Sequence, residues 1–179
     1  TGDIPYDFVV FAPGGETNYF GIEGLEQWAF GLKDLADAVR IRNHVLFMFE
    51  LAMQENDPAR RRALLTFVIV GGGPTGVECA GALSELVRLV LARDYPRLNP
   101  GDVRVLLLEA GDRLLSMMPE KLCRAAAAML SRKNVEVRFN AAVMNYNGVE
   151  VKLKSEEPIP TQTMIWAAGV SASRLTKQL

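Results

Sequence analysis

The amino-acid sequence predicts an α/β fold with a parallel sheet, and three observations support that prediction. Short apolar runs rich in β-branched residues, such as 66–70, alternate with longer segments of helical periodicity. The run at 103–109 is apolar almost throughout, as in strands that are covered on both faces. An Asn147-Gly148 pair within 142–154 predicts an antiparallel β-hairpin, or a meander, inserted into that sheet. Ligands of such folds bind at the carboxyl ends of the parallel strands.

The first third of the chain predicts a strand, an irregular segment and a long helix. The run 8–12 predicts the strand, and Gly21 and Gly24 break any periodicity over 16–30. Apolar residues then recur at spacings of three, four or seven, which predicts a helix over 33–54. The apolar positions of its predicted buried face are Leu32, Leu35, Ala36, Val39, Leu46, Phe49 and Met53.

Several polar residues of this region are interpreted as surface residues. His44 falls beside the apolar face, which favours a histidine on the helix surface over a catalytic one. The sequence Asn-Asp-Pro at 56–58 ends the helix. The three arginines at 60–62 favour a solvated face over an anion site.

Beyond residue 65, strands and helices follow one another. Strands are predicted over 66–70, 103–109, 135–139 and 164–167, with hairpin strands over 142–146 and 149–154. Helices are predicted over about 76–92 and from Pro119 onward, and 93–102 is predicted to be a loop. The second of these helices is predicted to bury Leu122, Ala126, Met129 and Leu130.

Composition and charge argue against several classes of function. A net charge of −1 with no basic block gives no support for nucleic-acid binding. Charged residues interrupt each long apolar stretch before the roughly 18 residues that a membrane span needs. Cys79 and Cys123 form no Cys-x-x-Cys pair and are interpreted as small buried residues in a reducing compartment. A single histidine in the chain argues against a histidine-based zinc site, so no metal site is predicted.

The segment 66–76 carries the most informative motif. Its apolar run ends in Gly71-x-Gly73-x-x-Gly76 and a helical pattern follows at once, which is the context that makes this motif indicative of dinucleotide binding. Gly71 permits a sharp turn, Gly73 lets a pyrophosphate approach the unpaired N–H groups of the helix, and Gly76 allows helix and strand to pack closely. The motif predicts a Rossmann-like dinucleotide-binding domain, the alternative being a strand-to-helix turn that merely needs glycine. The predicted cofactor-binding residues of this turn are Gly71, Gly72, Gly73, Pro74, Thr75 and Gly76.

A carboxylate at the end of the next strand completes the pattern. Glu109 closes the run 103–109, where it could accept hydrogen bonds from the adenosine ribose. Its distance from Gly76 exceeds the usual spacing of about 20 residues, which an insertion over 93–102 would explain. A polar strand end that faces water is the alternative. Because a carboxylate repels a 2′-phosphate, Glu109 predicts NADH over NADPH, and Arg113 could soften that preference.

The motifs together resemble the type II NADH:quinone oxidoreductases, flavoproteins of the larger pyridine nucleotide–disulfide oxidoreductase superfamily. The matching segments are VIVGGGPTGVECAGAL at 68–83, LLEAGDRLL at 107–115 and TMIWAAGV at 163–170. Upstream, 6–22 is similar to the end of the family's FAD domain and 35–44 to its interdomain helix. The resemblance therefore covers nearly the whole chain.

This resemblance implies an organisation and a reaction. Residues 1–30 would be the C-terminal piece of the first FAD-domain segment, 31–64 the interdomain helix and linker, and 65–179 the NADH-binding domain. The nicotinamide would lie against the flavin near Glu78 and the turn Ala168-Gly169, hydride would pass to FAD, and electrons would pass on to a quinone. Glu78 is thus a candidate catalytic residue that positions the nicotinamide or handles a proton. A first-turn carboxylate favoured by the helix dipole is the equally weighted alternative.

Two departures from the family pattern affect these expectations. The family's usual Ala-Thr-Gly turn is replaced by Ala12-Pro13-Gly14, which removes a hydroxyl and a backbone donor. The glycine fingerprint expected for FAD does not precede it, and the chain opens close to a strand without an initiator Met. The sequence is therefore interpreted as an excised fragment, soluble by itself and expected to lack FAD. The full-length protein is expected to bind FAD, to reach its quinone, and to lie against the cytoplasmic side of a membrane.

Other functions remain open from the sequence. One is a disulfide oxidoreductase of the same superfamily, although the chain holds no redox cysteine pair. Another is a dinucleotide-binding redox sensor without turnover, since a fold does not dictate a function. The turn 71–76 could also hold FAD, but its position after 6–14 argues against that. The sequence does not determine the oligomeric state, and a homodimer is one of the open alternatives.

Overall fold

The computed structural model describes residues 2–22, 24–95, 97–154 and 157–178. The strands are β1 (Gly15–Thr17), β2 (Phe30–Gly31), β3 (Thr66–Val70), β4 (Arg104–Leu108), β5 (Val135–Arg138), β6 (Val143–Tyr146), β7 (Glu150–Leu153), β8 (Ile159–Pro160), β9 (Thr163–Trp166) and β10 (Val170–Ala172). The helices are α1 (Leu25–Trp28), α2 (Leu35–Gln54), α3 (Pro58–Leu64), α4 (Pro74–Leu86), α5 (Ala92–Asp94) and α6 (Glu120–Arg132). A π-helical turn, Val87–Leu91, joins α4 to α5, and 3₁₀ turns cover Pro100–Asp102 and Arg174–Gln178.

A five-stranded parallel sheet in the order β2-β9-β3-β4-β5 forms the centre of the fold. Strand β3 is its middle strand, and Val70 at the end of β3 pairs with Leu108 of β4 and with Trp166 of β9. This arrangement confirms the predicted α/β fold. The predicted domain boundary between residues 30 and 31 falls inside β2.

Alternate residues of the parallel strands face two different layers. Phe67 and Ile69 of β3 pack into the cluster that contains the buried side chains of α2 and α4. Val68 and Val70 pack into a second cluster with the antiparallel sheet β6-β7-β8. Side chains alternate between the two faces of a strand, so a β-branched run that is apolar at every position fits between two apolar layers.

The predicted hairpin is present between β6 and β7. Asn147 Oδ1 accepts hydrogen bonds from the N–H groups of Val149 (3.1 Å) and Glu150 (3.0 Å), and Gly148 has a φ of +88°. Positive φ is the conformation that favours glycine in such turns. Strand β8 pairs antiparallel with β7, so the hairpin is extended to a three-stranded meander.

The predicted N-terminal strand is absent. Residues 8–12 are irregular and exposed, and in the described part of the chain they pair with no strand. The first strand is β1, which pairs antiparallel with β10. The segment 16–30, predicted to be irregular, contains part of β1, the whole of α1 and the start of β2. Strand propensity was wrong at 8–12 because a strand needs a neighbour that supplies backbone partners.

The long helix α2 is confirmed, but three of the seven residues in its predicted buried face, Leu35, Ala36 and Val39, are exposed. Asp34 caps its start by accepting a hydrogen bond from the N–H of Asp37 at 2.9 Å. Leu35 is 80% exposed, and Val39 is exposed as well. The side chains that α2 buries all lie from residue 41 onward: Ile41, Val45, Met48, Phe49 and Ala52. Helical periodicity predicts an apolar face, but not the length over which a neighbouring element covers it.

A further helix, α3, follows the break at 56–58 and was not predicted. Asp57 Oδ1 accepts hydrogen bonds from the N–H groups of Ala59 (2.7 Å) and Arg60 (3.3 Å), and Pro58 occupies the first turn. An Asp-Pro pair is both a helix stop and a helix start, so the signal was present in the sequence.

Helices α4 and α6 differ in detail from their predicted versions. Helix α4 begins at Pro74 and ends at Leu86, after which the π-helical turn continues the rod, whereas 76–92 was predicted. Pro119 occupies the cap position of α6 rather than its first turn. In α6, Leu122 and Met129 are about half exposed, and Cys123 and Leu130 are the buried side chains. Pro96, in the predicted loop 93–102, lies outside the described residues.

Candidate functional site

The turn between β3 and α4 is built by glycine contacts. Gly71 has a φ of +111° and donates its N–H to the carbonyl of Leu108 at 2.8 Å. A Cβ on Gly71 would lie 2.6 Å from Ala168 Cα, and one on Gly76 would lie 1.8 Å from the carbonyl oxygen of Gly71. Both positions therefore require glycine, because a side chain would collide with backbone.

Gly73 has a different environment from these two glycines. A Cβ placed on it would meet no atom within 4 Å. Gly73 is also the cap residue of α4, and no side chain of the described residues caps the helix there. Pro74 and Thr75 are exposed in the first turn. Open space in front of an uncapped helix N-terminus is the geometry that an anion such as a pyrophosphate needs.

Glu109 lies beside this turn, with both carboxylate oxygens oriented by backbone. Oε2 accepts a hydrogen bond from the N–H of Gly72 and Oε1 accepts one from the N–H of Gly111, each at 2.6 Å. The backbone N–H of Glu109 donates to the carbonyl of Arg138 at 2.9 Å, which fixes the residue at the end of β4. The side chain remains partly exposed, and each carboxylate oxygen has a second lone pair free to accept from a ligand hydroxyl.

A groove of about 160 Å³ connects these residues with the loop that follows β4. Its lining comprises Gly72, Gly73, Pro74, Glu109, Arg113, Leu115, Ser116, Met117 and Met118. The loop is held by the N–H of Leu115, which donates to the carbonyl of Gly72 at 2.8 Å. Sequence reasoning identified Arg113 but missed residues 115–118. Their position at the carboxyl edge of a parallel sheet was the signal that could have identified them.

Arg113 lies in the wall of this groove. Its Nε is 3.4 Å from Asp112 Oδ1, and both side chains are exposed, so the pair is weak and the guanidinium is loosely held. An exposed cation in the same groove as Glu109 is the arrangement expected if Arg113 moderates the repulsion between Glu109 and a phosphate.

The far side of the crevice is the end of β9. The N–H of Ala167 donates to the carbonyl of Val70 at 2.8 Å, so the turn Ala168-Gly169 lies beside the glycine turn. The carbonyl of Gly169 accepts a hydrogen bond from the N–H of Asn18 at 3.0 Å. Strands β3 and β9 are parallel neighbours, so their carboxyl ends lie side by side at the same edge of the sheet. This is the point at which ligands bind in doubly wound folds.

Glu78 lies apart from the glycine turn. Two residues beyond Gly76, it is rotated by about 200° from that buried position around α4. Its side chain is exposed and lines a separate apolar groove of about 550 Å³ between α4 and α6. No hydrogen bond or ion pair joins Glu78 to another described residue. The structure therefore brings Glu109 and the glycine turn together, and places Glu78 on another face.

The cysteines and the histidine have structural surroundings. Burial raises the pKa of the Cys79 thiol to about 11, so it stays protonated at neutral pH. The Cys123 thiol lies 3.4 Å from the carbonyl oxygens of both Leu115 and Met118. Burial lowers the pKa of His44, whose Nε2 contacts the carbonyl oxygen of Gln162 at 3.1 Å. His44 is thus half-buried and joins α2 to the loop before β9, rather than lying on the helix surface.

The described residues contain neither a candidate metal site nor a candidate membrane-spanning helix. No group of three or more His, Cys, Asp or Glu side chains there could hold a metal ion. Among the same residues, each helix is too short or too polar to cross a membrane.

Comparison with known proteins agrees with this geometry. The family profile described as pyridine nucleotide-disulphide oxidoreductase matches residues 1–179, which is the whole chain. The chain belongs to this family.

Curated relatives of this pyridine nucleotide-disulphide oxidoreductase confirm the resemblance seen in the sequence. The type II NADH:quinone oxidoreductase Ndh of Mycobacterium tuberculosis is 39% identical over 183 residues, which cover 100% of this chain and 40% of the relative. NdhA of the same organism, also a type II NADH:quinone oxidoreductase, is 40% identical over 98% of this chain and 38% of the relative. The mitochondrial external alternative NAD(P)H-ubiquinone oxidoreductase B2 of Arabidopsis thaliana is 36% identical over 97% of this chain and 31% of its own length. The chain thus spans less than half the length of these relatives.

A solved structure supports the fold. NDH2 from Plasmodium falciparum in complex with NADH superposes with a TM-score of 0.87 at 24% identity, covering 93% of this chain and 35% of that one. At 24% identity, this superposition supports the fold of the chain and carries no further conclusion.

Proposed function

We propose that residues 65–179 form the NADH-binding domain of an FAD-dependent NADH dehydrogenase that passes electrons to a quinone. Residues 31–64 then form the interdomain helix and linker, and 1–30 form a piece of the FAD domain. Hydride leaves the nicotinamide for the flavin, and two electrons continue to the quinone. The full-length protein lies against the cytoplasmic side of a membrane, where quinones dissolve.

The observation that carries this proposal is the doubly anchored carboxylate of Glu109 beside the open space at Gly73. The hydrogen bonds from Gly72 and Gly111 fix both carboxylate oxygens of Glu109. The remaining lone pairs of these oxygens are available to accept hydrogen bonds from the two adenosine ribose hydroxyls. A 2′-phosphate in place of one hydroxyl would meet this negative charge. The site therefore favours NADH over NADPH.

The pyrophosphate occupies the open space at Gly73 and accepts hydrogen bonds from the first N–H groups of α4. The positive end of the helix dipole adds to this attraction. A side chain at Gly73 would fill that space without disturbing the fold, because it would touch no protein atom. The residues present thus fit a dinucleotide.

The nicotinamide half extends toward the turn Ala168-Gly169, across the crevice from the glycine turn. FAD, when bound, supplies the hydride acceptor. Glu78 is exposed on α4, on a different face from the glycine turn, so a role in positioning the nicotinamide or handling a proton requires a second domain that brings the nicotinamide to that face. The relatives named as NADH:quinone oxidoreductases support NADH as the hydride donor and a quinone as the acceptor.

The proposal is tested with the full-length protein by measuring NADH-dependent reduction of a water-soluble quinone. Turnover with NADH, and a kcat/KM at least about tenfold lower with NADPH, is the expected result. Tight NADH binding without electron transfer would instead identify a redox sensor. Reduction of a disulfide substrate in preference to the quinone would identify a disulfide oxidoreductase.

The role of Glu78 has its own test in the same assay. Glu78→Gln keeps the size of the side chain and removes its charge. A lower kcat with unchanged NADH affinity is expected if the carboxylate acts at the nicotinamide. Unchanged turnover would leave Glu78 as a first-turn carboxylate that stabilises α4.

A further inference from the structure

Two consecutive methionines form the outer wall of the groove that contains Glu109. Met117 is 95% exposed and Met118 is 46% exposed, and both line the groove together with Gly73. By contrast, Met48 and Met164 are buried in the core. The most accessible thioether of these four therefore lies beside the proposed cofactor position.

The loop that carries both methionines has a fixed backbone. Met118 donates its N–H to the carbonyl of Leu115 at 2.7 Å, and Leu115 donates to Gly72 at 2.8 Å. The buried Cys123 thiol contacts the carbonyl oxygens of Leu115 and Met118 from below. The backbone is thus anchored to the glycine turn while the Met117 side chain projects into solvent.

We propose that Met117 and Met118 form a peroxide-sensitive modification site, at which oxidation to the sulfoxide weakens NADH binding. This inference rests on the proposed function, because it places the adenosine half of NADH in the same groove. It adds to that function a chemical control on cofactor affinity.

The chemistry needs a peroxide and nothing from the protein beyond the thioether. The sulfur lone pair attacks one oxygen of hydrogen peroxide, an S–O bond forms and the O–O bond breaks. The departing hydroxide takes the proton of the new S–OH group, directly or through solvent, and leaves as water, so that the sulfoxide remains. Sulfur is oxidised by two electrons and the peroxide is reduced by two. Methionine sulfoxide reductases reverse the change at the expense of thiols.

The consequence follows from the character of the groove. Leu115, Met117 and Met118 give it an apolar wall, against which an adenine ring can pack with favourable sulfur–aromatic contacts. A sulfoxide is polar and loses part of its hydration when a ring covers it. Loss of the sulfur–aromatic contact alone corresponds to an affinity change of about two- to tenfold.

The test treats the full-length protein with hydrogen peroxide and follows two quantities. Peptide mass spectrometry gives the sulfoxide fraction at each methionine, and a titration gives the Kd for NADH before and after treatment. The ratio of the two Kd values is compared for wild type, the double variant M117L/M118L and the control Met144→Leu. Met144 is 56% exposed on β6 and lines no part of this groove.

Wild type and Met144→Leu are expected to show early oxidation of Met117 and a ratio of about two to ten. The double variant is expected to show a ratio near one. A ratio near one in wild type with Met117 fully oxidised would overturn the inference and leave the proposed function intact. Failure of untreated wild type to bind NADH would overturn both.

Discussion

Two segments of this chain share a sequence pattern and lie in opposite environments. The segment 8–15 and the segment 66–73 each combine an apolar run with a turn that contains consecutive glycines. Phe8 is 93% exposed and takes part in no strand, whereas Phe67 is completely buried in the middle strand of the sheet.

The two segments differ in the strands and apolar layers that surround them. Strand β3 has β4 on one side and β9 on the other, and apolar layers on both faces. Residues 8–12 pair with no strand in the described part of the chain. Apolar, β-branched sequence gives a segment the capacity to be a strand, and pairing decides whether it becomes one. The same contrast predicts which substitutions the molecule tolerates.

Gly76→Ala is expected to have the largest effect on stability. The new Cβ would lie 1.8 Å from the carbonyl oxygen of Gly71, so the turn and the helix cannot both keep their positions. The matched control is Gly14→Ala in the other segment, where φ is +76° but a Cβ meets nothing within 4 Å. Denaturant unfolding of the full-length protein should show a loss of more than about 4 kcal/mol for the first variant. A loss of about 1 kcal/mol is expected for the second. Equal losses would show that the overlap is relieved elsewhere.

A valine-to-alanine substitution is expected to cost much more stability at Val68 than at Val10. Val68→Ala removes two methyl groups from a side chain that is 0% exposed, whereas Val10→Ala removes them from one that is 89% exposed. The expected costs in unfolding free energy are about 2 to 3 kcal/mol for Val68 and within about 0.5 kcal/mol for Val10. If Val10→Ala cost as much as Val68→Ala, segment 8–12 would be packed in the full-length protein. The exposure of residues 8–12 would then be a property of residues 1–179 alone.

Glu109→Gln tests the proposed contact with the cofactor, at the end of the buried strand that neighbours β3. A glutamine has one acceptor and one donor end, so its NH₂ group would face the N–H of either Gly72 or Gly111. The Kd for NADH is expected to rise about tenfold, with a smaller change for NADPH.

The matched control for Glu109→Gln is Glu16→Gln. Glu16 is another strand carboxylate that accepts a backbone N–H, from Arg174 at 3.0 Å, but it lies outside the groove. Its substitution should leave the NADH Kd unchanged. Similar losses of NADH affinity in both variants would indicate a general effect of charge rather than recognition of the ribose.

The smallest expected effect is the pH dependence that comes from His44, the one histidine of the chain. Its folded-state pKa lies below 6.5 because burial disfavours the charged ring. Between pH 6.5 and that lower pKa, the unfolded chain binds more protons than the folded one, so stability falls as the pH falls. The Tm of wild type should therefore drop between pH 6.5 and pH 5 more than that of His44→Gln. Parallel curves would remove His44 as the cause.

Local signals predicted the parts of the fold in which chain neighbours are also spatial neighbours. The strand, glycine turn and helix at 66–86 and the hairpin around Asn147-Gly148 belong to this group, as each is specified by a short segment. The pairings of β2 with β9 and of β1 with β10 join residues that are far apart in sequence. No short sequence segment specifies such pairings, and they determine which of residues 8–31 form strands.

The candidate site likewise contains residues that the sequence predicts and residues that it does not. Gly71 and Gly76 were predictable because backbone contacts leave no room for a side chain there. Gly73 and Glu109 were predictable because the dinucleotide-binding pattern places a glycine and a carboxylate at those points. The loop 115–118 was not, because apolar side chains in an irregular segment have no periodicity to mark them. Glu78 lies near the motif in sequence but faces another groove, since two residues along a helix turn a side chain to the opposite side.

The two backbone hydrogen bonds to Glu109 have a consequence for how the proposed cofactor would bind and leave. They orient the carboxylate before any cofactor arrives, so little rotamer freedom is lost on binding. Under the proposed function they also act on the adenosine half of the cofactor, which is chemically identical in NADH and NAD⁺. An anchor of this kind holds substrate and product alike. Under the proposed function, release of the oxidised cofactor would therefore depend on changes at the nicotinamide end, across the crevice at Ala168-Gly169.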